Sequence, residues 1–315
     1  MIFVEMMPLW GHIRINNFYI NNLSTSGDKL LIGKGLYKSY SFENKYEINE
    51  NFNNLWERFK GAIKLLKLIL SFKDKDVIFL SYDLIFFPII SLFLRFLSIR
   101  IICIEHNTVP VNTIKKIFQK ISGRNVMHIT YTPYISDIFK KINLSSVSIP
   151  HPLIEPEFSI NISKEVYLIK KLSMKYKKVI FCPSGSSKKS DLETVINKNK
   201  NCFFVGKMDG ISLENYVRFA KIECYREVLD ASDCIYISFP FDEKVSGPFY
   251  ETMALGRIAV VNSGVFADFC KKKFPLNAYE YRDDIFDIVS RDNVIEVQEY
   301  NKRIISSFKK LICKE

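Results

Sequence analysis

No Gly-x-Gly-x-x-Gly follows the first apolar run, Ile2 to Met6, so the chain lacks the fingerprint that a NAD-dependent enzyme would present there. No Cys-x-x-Cys spacing occurs either, which removes the common structural zinc sites. The start, MIFVEMMPLWGH, has no basic segment ahead of a long apolar one, so no signal peptide is expected. Glycine and proline are scarce, at 12 and 11 of 315 residues, and 48% of the chain is apolar. Long disorder is excluded on that composition. There is no internal repeat and no low-complexity segment. Histidine is rare, with four residues in all.

What is present suits two α/β domains. A chain of 315 residues can bury two cores. Cys103, Cys182, Cys202 and Cys234 lie in apolar, strand-like runs, and the cysteine total of seven is odd. Reduced, buried thiols in a cytoplasmic protein fit this better than a disulfide framework. The net charge is +11, and residues 1–155 carry 19 basic against 12 acidic side chains. A basic first half suits an acidic partner, such as anionic lipid at the inner face of a membrane or a diphosphate carrier. No nucleic-acid module with interleaved stacking aromatics is evident, so nucleic acid is not expected.

The most informative stretch runs from Phe239 to Asn262. A buried-strand run, Cys234 to Phe239, leads into it. Glu243 and Glu251 follow, eight positions apart, with Ser246, Gly247 and Pro248 between them. The spacing predicts a helix over Glu251 to Leu255, stopped at Gly256, and a return strand over Ile258 to Val261. A strand, a Ser/Gly turn, a helix start and a second strand place a site at the carboxyl edge of a parallel sheet. Main-chain N–H groups near Ser246 and Gly247 would offer an anion pocket flanked by two carboxylates. A carboxylate that accepts from neighbouring hydroxyls suits a ribose or a hexose, so the set reads as a nucleotide-sugar site. The plain alternative is a solvated Glu243 and a Glu251 that caps its own helix.

Glu243, seven intervening residues and Glu251, followed by Thr252-Met253-Ala254-Leu255-Gly256, resemble the E-x7-E signature of glycosyltransferase family 4. Ser246 stands where that family usually has Gly, and Val245 where it has Phe. The resemblance implies a retaining, metal-independent transferase of the GT-B fold: two Rossmann-like, doubly wound domains facing a central cleft. Residues 1–155, joined by a last helix over 296–315, would form the acceptor-side domain, and residues 160–295 the nucleotide-sugar domain. The donor would be a UDP- or GDP-sugar, with no cofactor and no metal. The acceptor would be a glycan or a polyprenyl-diphosphate-linked sugar of the capsule or O-antigen kind.

The same resemblance distributes the remaining roles. Glu251 would bind the ribose, and Glu243 the donor sugar. The loop after Lys178 to Cys182 carries Gly185, Lys188 and Lys189 but no Arg, and would hold the diphosphate. Gly206, after the strand Cys202 to Val205, would lie near the base. Gly11 and His12, in the loop that begins at Pro8, would face the acceptor. His106, at the end of the strand Arg100 to Glu105, would act at the sugar, whereas a structural role is expected for His151. Two other readings stay open: a nucleotide-sugar 2-epimerase, for which four histidines are few, and a non-catalytic partner subunit, which the missing loop Arg favours.

Elsewhere, Asn53 to Phe72 predicts a basic amphipathic helix, either packed outside a sheet or touching a membrane surface. Asp74-Lys75-Asp76 reads as a solvated turn. Residues 34–50 read as a surface excursion. Asp83 to Ile99 is too short and too interrupted to span a bilayer, and predicts a helix that is buried or dips at an interface.

Overall fold

The computed structural model describes residues 1–7, 10–49, 54–106, 108–123, 125–159, 164–183, 188–222, 224–289 and 294–313, without the side chains of Trp10, Asn49 and Cys313. The chain forms two compact units, Met1–Pro152 with Asn301–Glu315, and Leu153–Tyr300.

The first unit runs β1 (Ile2–Glu5), α1 (Ile13–Leu23), β2 (Lys29–Gly33), β3 (Lys45–Asn49), α2 (Leu55–Phe72), β4 (Asp76–Ser81), α3 (Phe87–Phe96), β5 (Arg100–Ile104), α4 (Thr113–Ser122), β6 (Val126–Thr130), α5 (Pro133–Lys140) and β7 (Ser145–Ser148). Its seven strands are all parallel, in the order β3-β2-β1-β4-β5-β6-β7. The central strands are short apolar runs, such as Val77 to Leu80 and Ile101 to Ile104, and are buried throughout. A parallel sheet covered on both faces requires that pattern. On one face, Leu65, Leu66 and Ile69 of α2 and Phe87, Ile90 and Leu94 of α3 close over Val4, Phe79 and Ile101. Asn54, Asn112 and Thr132 start α2, α4 and α5 by accepting the backbone N–H three residues on.

The second unit runs α6 (Lys164–Leu172), β8 (Lys178–Cys182), α7 (Lys189–Lys198), β9 (Cys202–Gly206), β10 (Tyr216–Arg218), α8 (Tyr225–Ala231), β11 (Cys234–Ile237), α9 (Gly247–Ala254), β12 (Ala259–Val261), α10 (Val265–Lys273), β13 (Ala278–Glu280), α11 (Ile285–Ile288) and α12 (Val297–Cys313). Its six strands are also all parallel, in the order β10-β9-β8-β11-β12-β13. Each sheet thus starts in its middle, winds outward, then reverses, which is the doubly wound arrangement. From Asn301 onward α12 belongs to the first unit. There Phe308 packs on Tyr19, and the Arg100 guanidinium donates to the carbonyls of Leu311 and Ile312.

Several expectations need correction. Residues 34–49 are not a surface excursion, residue 50 lying outside the described residues: a 3₁₀ turn over Lys34–Ser39 leads into β3, which pairs with β2. The Asp74 turn is not simply solvated. Its carboxylate accepts from the Met1 amino group and from Lys29, each at 2.8 Å, while Asp76 begins β4 and pairs with Arg100. The apolar segment 83–99 is helical only from Phe87, and one side of that helix is exposed. None of the described cysteines forms a disulfide. No described helix is long and apolar enough to cross a membrane.

Candidate functional site

In a doubly wound sheet the crevice lies beyond the carboxyl ends of the strands where the order reverses. In the first unit that point is between β1 and β4. Glu5, the last residue of β1, is fully buried. It accepts from Ser81 Oγ of β4 at 2.7 Å and from Asn16 Nδ2 of α1, and Ser81 Oγ accepts the Met7 N–H at 2.9 Å. Burial pushes the Glu5 carboxyl up to about 8. A cavity of about 240 Å³ opens here, lined by Met7, Arg58, Ser81, Tyr82, Asp83 and His106 among others. Arg58 grips the buried Asp83 with two nitrogens, at 2.5 and 2.6 Å.

His106 is presented by a pinned turn. Glu105 is buried just after β5 and accepts from Tyr82 Oη at 2.9 Å and from Thr108 Oγ1; His128 Nδ1 lies 2.7 Å from it. Gln119 of α4 donates to Tyr82 Oη at 2.6 Å and to the Thr108 carbonyl at 3.1 Å. The His106 ring stacks on His12 with centroids 4.1 Å apart and meets Tyr131 at 5.4 Å; Tyr131 meets His151 at 4.7 Å. Three of the four histidines therefore gather at one sheet edge. Among the described residues, His106 Nε2 and His12 Nδ1 are buried with no hydrogen-bond partner. Burial lowers His12 to about 4 and His151 to about 3, and burial together with the neighbouring His12 and His151 holds His106 well below the ordinary range.

These shifts fix how stability should vary with pH. Folding keeps three histidines neutral that the unfolded chain protonates below about pH 6.5, and keeps Glu5 protonated where the unfolded chain ionises it above about pH 4.5. Below 6.5 the unfolded state therefore binds more protons in net, and stability falls as pH drops toward 4. From about pH 7 to 8 the folded unit keeps protons that the unfolded chain releases, on Glu5 and on the Met1 amino group, which, against the lowering effect of burial, Asp28 and Asp74 hold above its ordinary range, so stability falls as pH rises. The melting temperature of the first unit should peak near pH 7. Glu5→Gln should shrink the alkaline decline, leaving only the share of the Met1 amino group, and keep the acid one. A profile that is flat from about pH 7 to 8 in the unmodified chain would contradict the assignment.

In the second unit the reversal falls between β8 and β11. The loop after β8 includes Gly185, which lies outside the described residues. Lys188 stands exposed at the start of α7, and Lys189 is already helical, 3.5 Å from Glu193 one turn on. Gly206 ends β9 in a tight place: a Cβ there would come within 3.0 Å of the Cys182 carbonyl and 3.1 Å of Tyr216 Oη, so its neighbours would have to give.

The helix after β11 starts earlier than the spacing suggests. It spans Gly247–Ala254, not Glu251–Leu255. Ser246 Oγ caps it by accepting the Phe249 N–H at 3.3 Å, and Pro248 has no N–H to give. The anion pocket expected from several main-chain donors is thereby reduced to the Gly247 N–H in that turn. Glu251 sits half-buried in the second turn, and Glu243 is exposed in the loop before the cap. Lys244 lies over the rings of Phe239 and Phe241, 4.7 and 5.5 Å from their centroids. In the first unit, Gly11 is exposed, with open space where a Cβ would be.

No family model matches this chain, and no curated protein matches its sequence. Solved structures share its fold over nearly the whole length. A glycosyltransferase from Rickettsia africae aligns with a TM-score of 0.63 at 15% identity, covering 97% of this chain and 93% of that one. Anabaena HepE, solved in complex with UDP-glucose, gives 0.65 at 12% identity, covering 98% and 99%. A putative UDP-N-acetylglucosamine 2-epimerase from Listeria monocytogenes gives 0.61 at 9% identity, covering 100% and 97%. The fold is GT-B.

GT-B neighbours at such identities establish architecture alone, so the site rests on this chain's own residues. His12 and His106 were singled out by position and prove to be stacked together. Glu5, Ser81, Glu105, His128 and Tyr131 were not singled out. Glu5 and Glu105 each left a trace in the sequence, as an acidic residue at the end of a largely apolar strand.

Proposed function

We propose that this chain is a glycosyltransferase that moves a sugar from a UDP- or GDP-sugar to a hydroxyl of a lipid-linked or surface glycan, without a metal and with retention. The observation that carries the reading is the Glu243/Glu251 pair around the Ser246-capped start of α9, at the reversal point of a GT-B sheet. Glu251 binds the ribose hydroxyls and Glu243 the donor sugar. Lys188 or Lys189, together with the Gly247 N–H, meets the diphosphate as charge builds on the leaving oxygen, which is where preorganised donors lower a barrier most. His106, neutral because it is buried, offers the unpartnered Nε2 to a sugar hydroxyl. His12 keeps that ring in place from its other face.

A second reading has an observation of its own. A nucleotide-sugar 2-epimerase needs histidines that converge, and His12, His106 and His151 do so around Tyr131. One experiment separates the two. The chain is incubated with UDP- and GDP-sugars, with and without polyprenyl-diphosphate-linked acceptor, and the products are followed by NMR. Nucleotide released only when acceptor is present supports transfer. Interconversion of C2 epimers without acceptor overturns transfer in favour of epimerisation, and binding without turnover overturns both.

A further inference from the structure

Helix α4 is built inside out. The side chains it buries are Gln119 and Ser122, whereas Ile114, Ile117 and Ile121 recur at helical spacing on its outer side and are 67%, 51% and 47% exposed. Helix α3, packed beside it, does the same on its free side with Ile89, Leu92, Phe93 and Phe96, the last 85% exposed. Two adjacent helices thus hold their apolar stripes in water, which is costly unless something covers them. The polar burial on α4 has its own cause, since Gln119 is held by Tyr82 and Thr108. Among the described residues of this unit, the outward isoleucines have no such cause.

The charges around the stripes select what covers them. Neither helix contains an Asp or a Glu, while α4 carries Lys115, Lys116 and Lys120 and α3 carries Arg95. A second copy docked face to face would set these cations against their equivalents, with no carboxylate on either helix to answer them. An anionic lipid surface satisfies both features at once, because its acyl boundary takes the apolar side chains and its headgroups take the lysines. We infer that the α3–α4 face of the first unit is a docking surface for anionic membrane. Helix α2, for which the sequence left open packing outside a sheet or touching a membrane surface, buries Ala62, Leu65, Leu66 and Ile69 in the core. Lys115 joins the docking face to the interior, since it also lines the cavity beside His106. Docking does not depend on the transfer chemistry, so either can fail alone.

The test is co-flotation of the full chain with vesicles of phosphatidylcholine alone, or with about one lipid in three replaced by phosphatidylglycerol. The chain should float with the anionic vesicles and not with the neutral ones, and should come off as salt shortens the screening length. Phe93→Ser with Phe96→Ser, and separately Lys116→Glu with Lys120→Glu, should each weaken the partition by about tenfold or more. Neither pair should lower the melting temperature, since all four side chains are exposed. Failure to float with anionic vesicles, or flotation that both double variants leave unchanged, overturns the inference. So does a concentration-dependent dimer that the Phe pair dissolves, because the face would then belong to a second copy. A chain that fails here yet still turns over a nucleotide sugar leaves the transferase reading standing.

Discussion

Glu105→Ala is expected to destabilise the first unit by about 3 kcal/mol or more, and to cost activity beyond what the lost stability explains. Glu105 is buried and faces Tyr82, Thr108 and His128 together. Removing one acceptor leaves several buried polar groups short of a partner, at about 1–3 kcal/mol each. Tyr82 keeps Gln119, so the three costs do not add in full. The same carboxyl holds the two ends of the turn that carries His106. Its loss should let that ring leave the His12 stack even in molecules that remain folded. Urea titration measures the first effect, as a lower midpoint at unchanged slope. The second is read as kcat at low urea and low temperature, where the variant is fully folded. Glu105→Gln, which keeps one acceptor oxygen, should recover part of both. A variant as stable as the parent would mean that the polar cluster behind His106 is not built as described.

Glu251→Ala is expected to have the opposite profile. Glu251 is half-buried on α9, outside the packed row of Phe249, Tyr250, Thr252 and Met253. That row, not Glu251, carries the buried face of α9, so the variant should still fold, and its response to ligand is measured from its own ligand-free melting temperature. What should vanish is the rise in melting temperature that a nucleotide sugar gives to the unmodified chain. On the proposed role, losing two charge-assisted hydrogen bonds to ribose, at about 1.5–3 kcal/mol each, would weaken donor affinity by about 100-fold or more. The comparison with Glu243→Ala is informative. If Glu243 meets the sugar and Glu251 the nucleoside, free UDP should still stabilise the Glu243 variant and no longer stabilise the Glu251 variant. An undiminished shift in Glu251→Ala would remove that residue from the donor site.

The elements that were legible in the sequence share one physical trait. Central strands such as Val77 to Leu80, Lys178 to Cys182 and Cys202 to Val205 are apolar on both faces, so they stand out as unbroken runs. The edge strands β3, β10 and β13 do not stand out, because an edge is short and half solvated; KYEIN, YVR and AYE carry no period that could be read. The start of α9 was hidden for another reason. Gly247-Pro248 reads as a turn, yet Pro at the first helical turn gives up an N–H that a helix leaves unbonded anyway. Helix α4 was passed over because its apolar residues point outward and its buried ones are polar. The histidine cluster could be anticipated only in part. His106 is marked by lying at a strand's end and His12 by lying at a helix start after the first strand's loop, but that they touch follows from the lateral order of strands, which no local pattern encodes.

The return of α12 bears on how such a chain is made. Tyr19 of α1 and Arg100 of β5 are synthesised early, but their partners Phe308, Leu311 and Ile312 emerge about two hundred residues or more later. The second unit, Leu153–Tyr300, is translated in between and can close on its own contiguous segment. The order of completion is thus reversed relative to the order of birth: the half that leaves the ribosome first is the last to be sealed. Until then its α1 and β5 surfaces wait with apolar and cationic groups uncovered, a natural stage for a chaperone to hold.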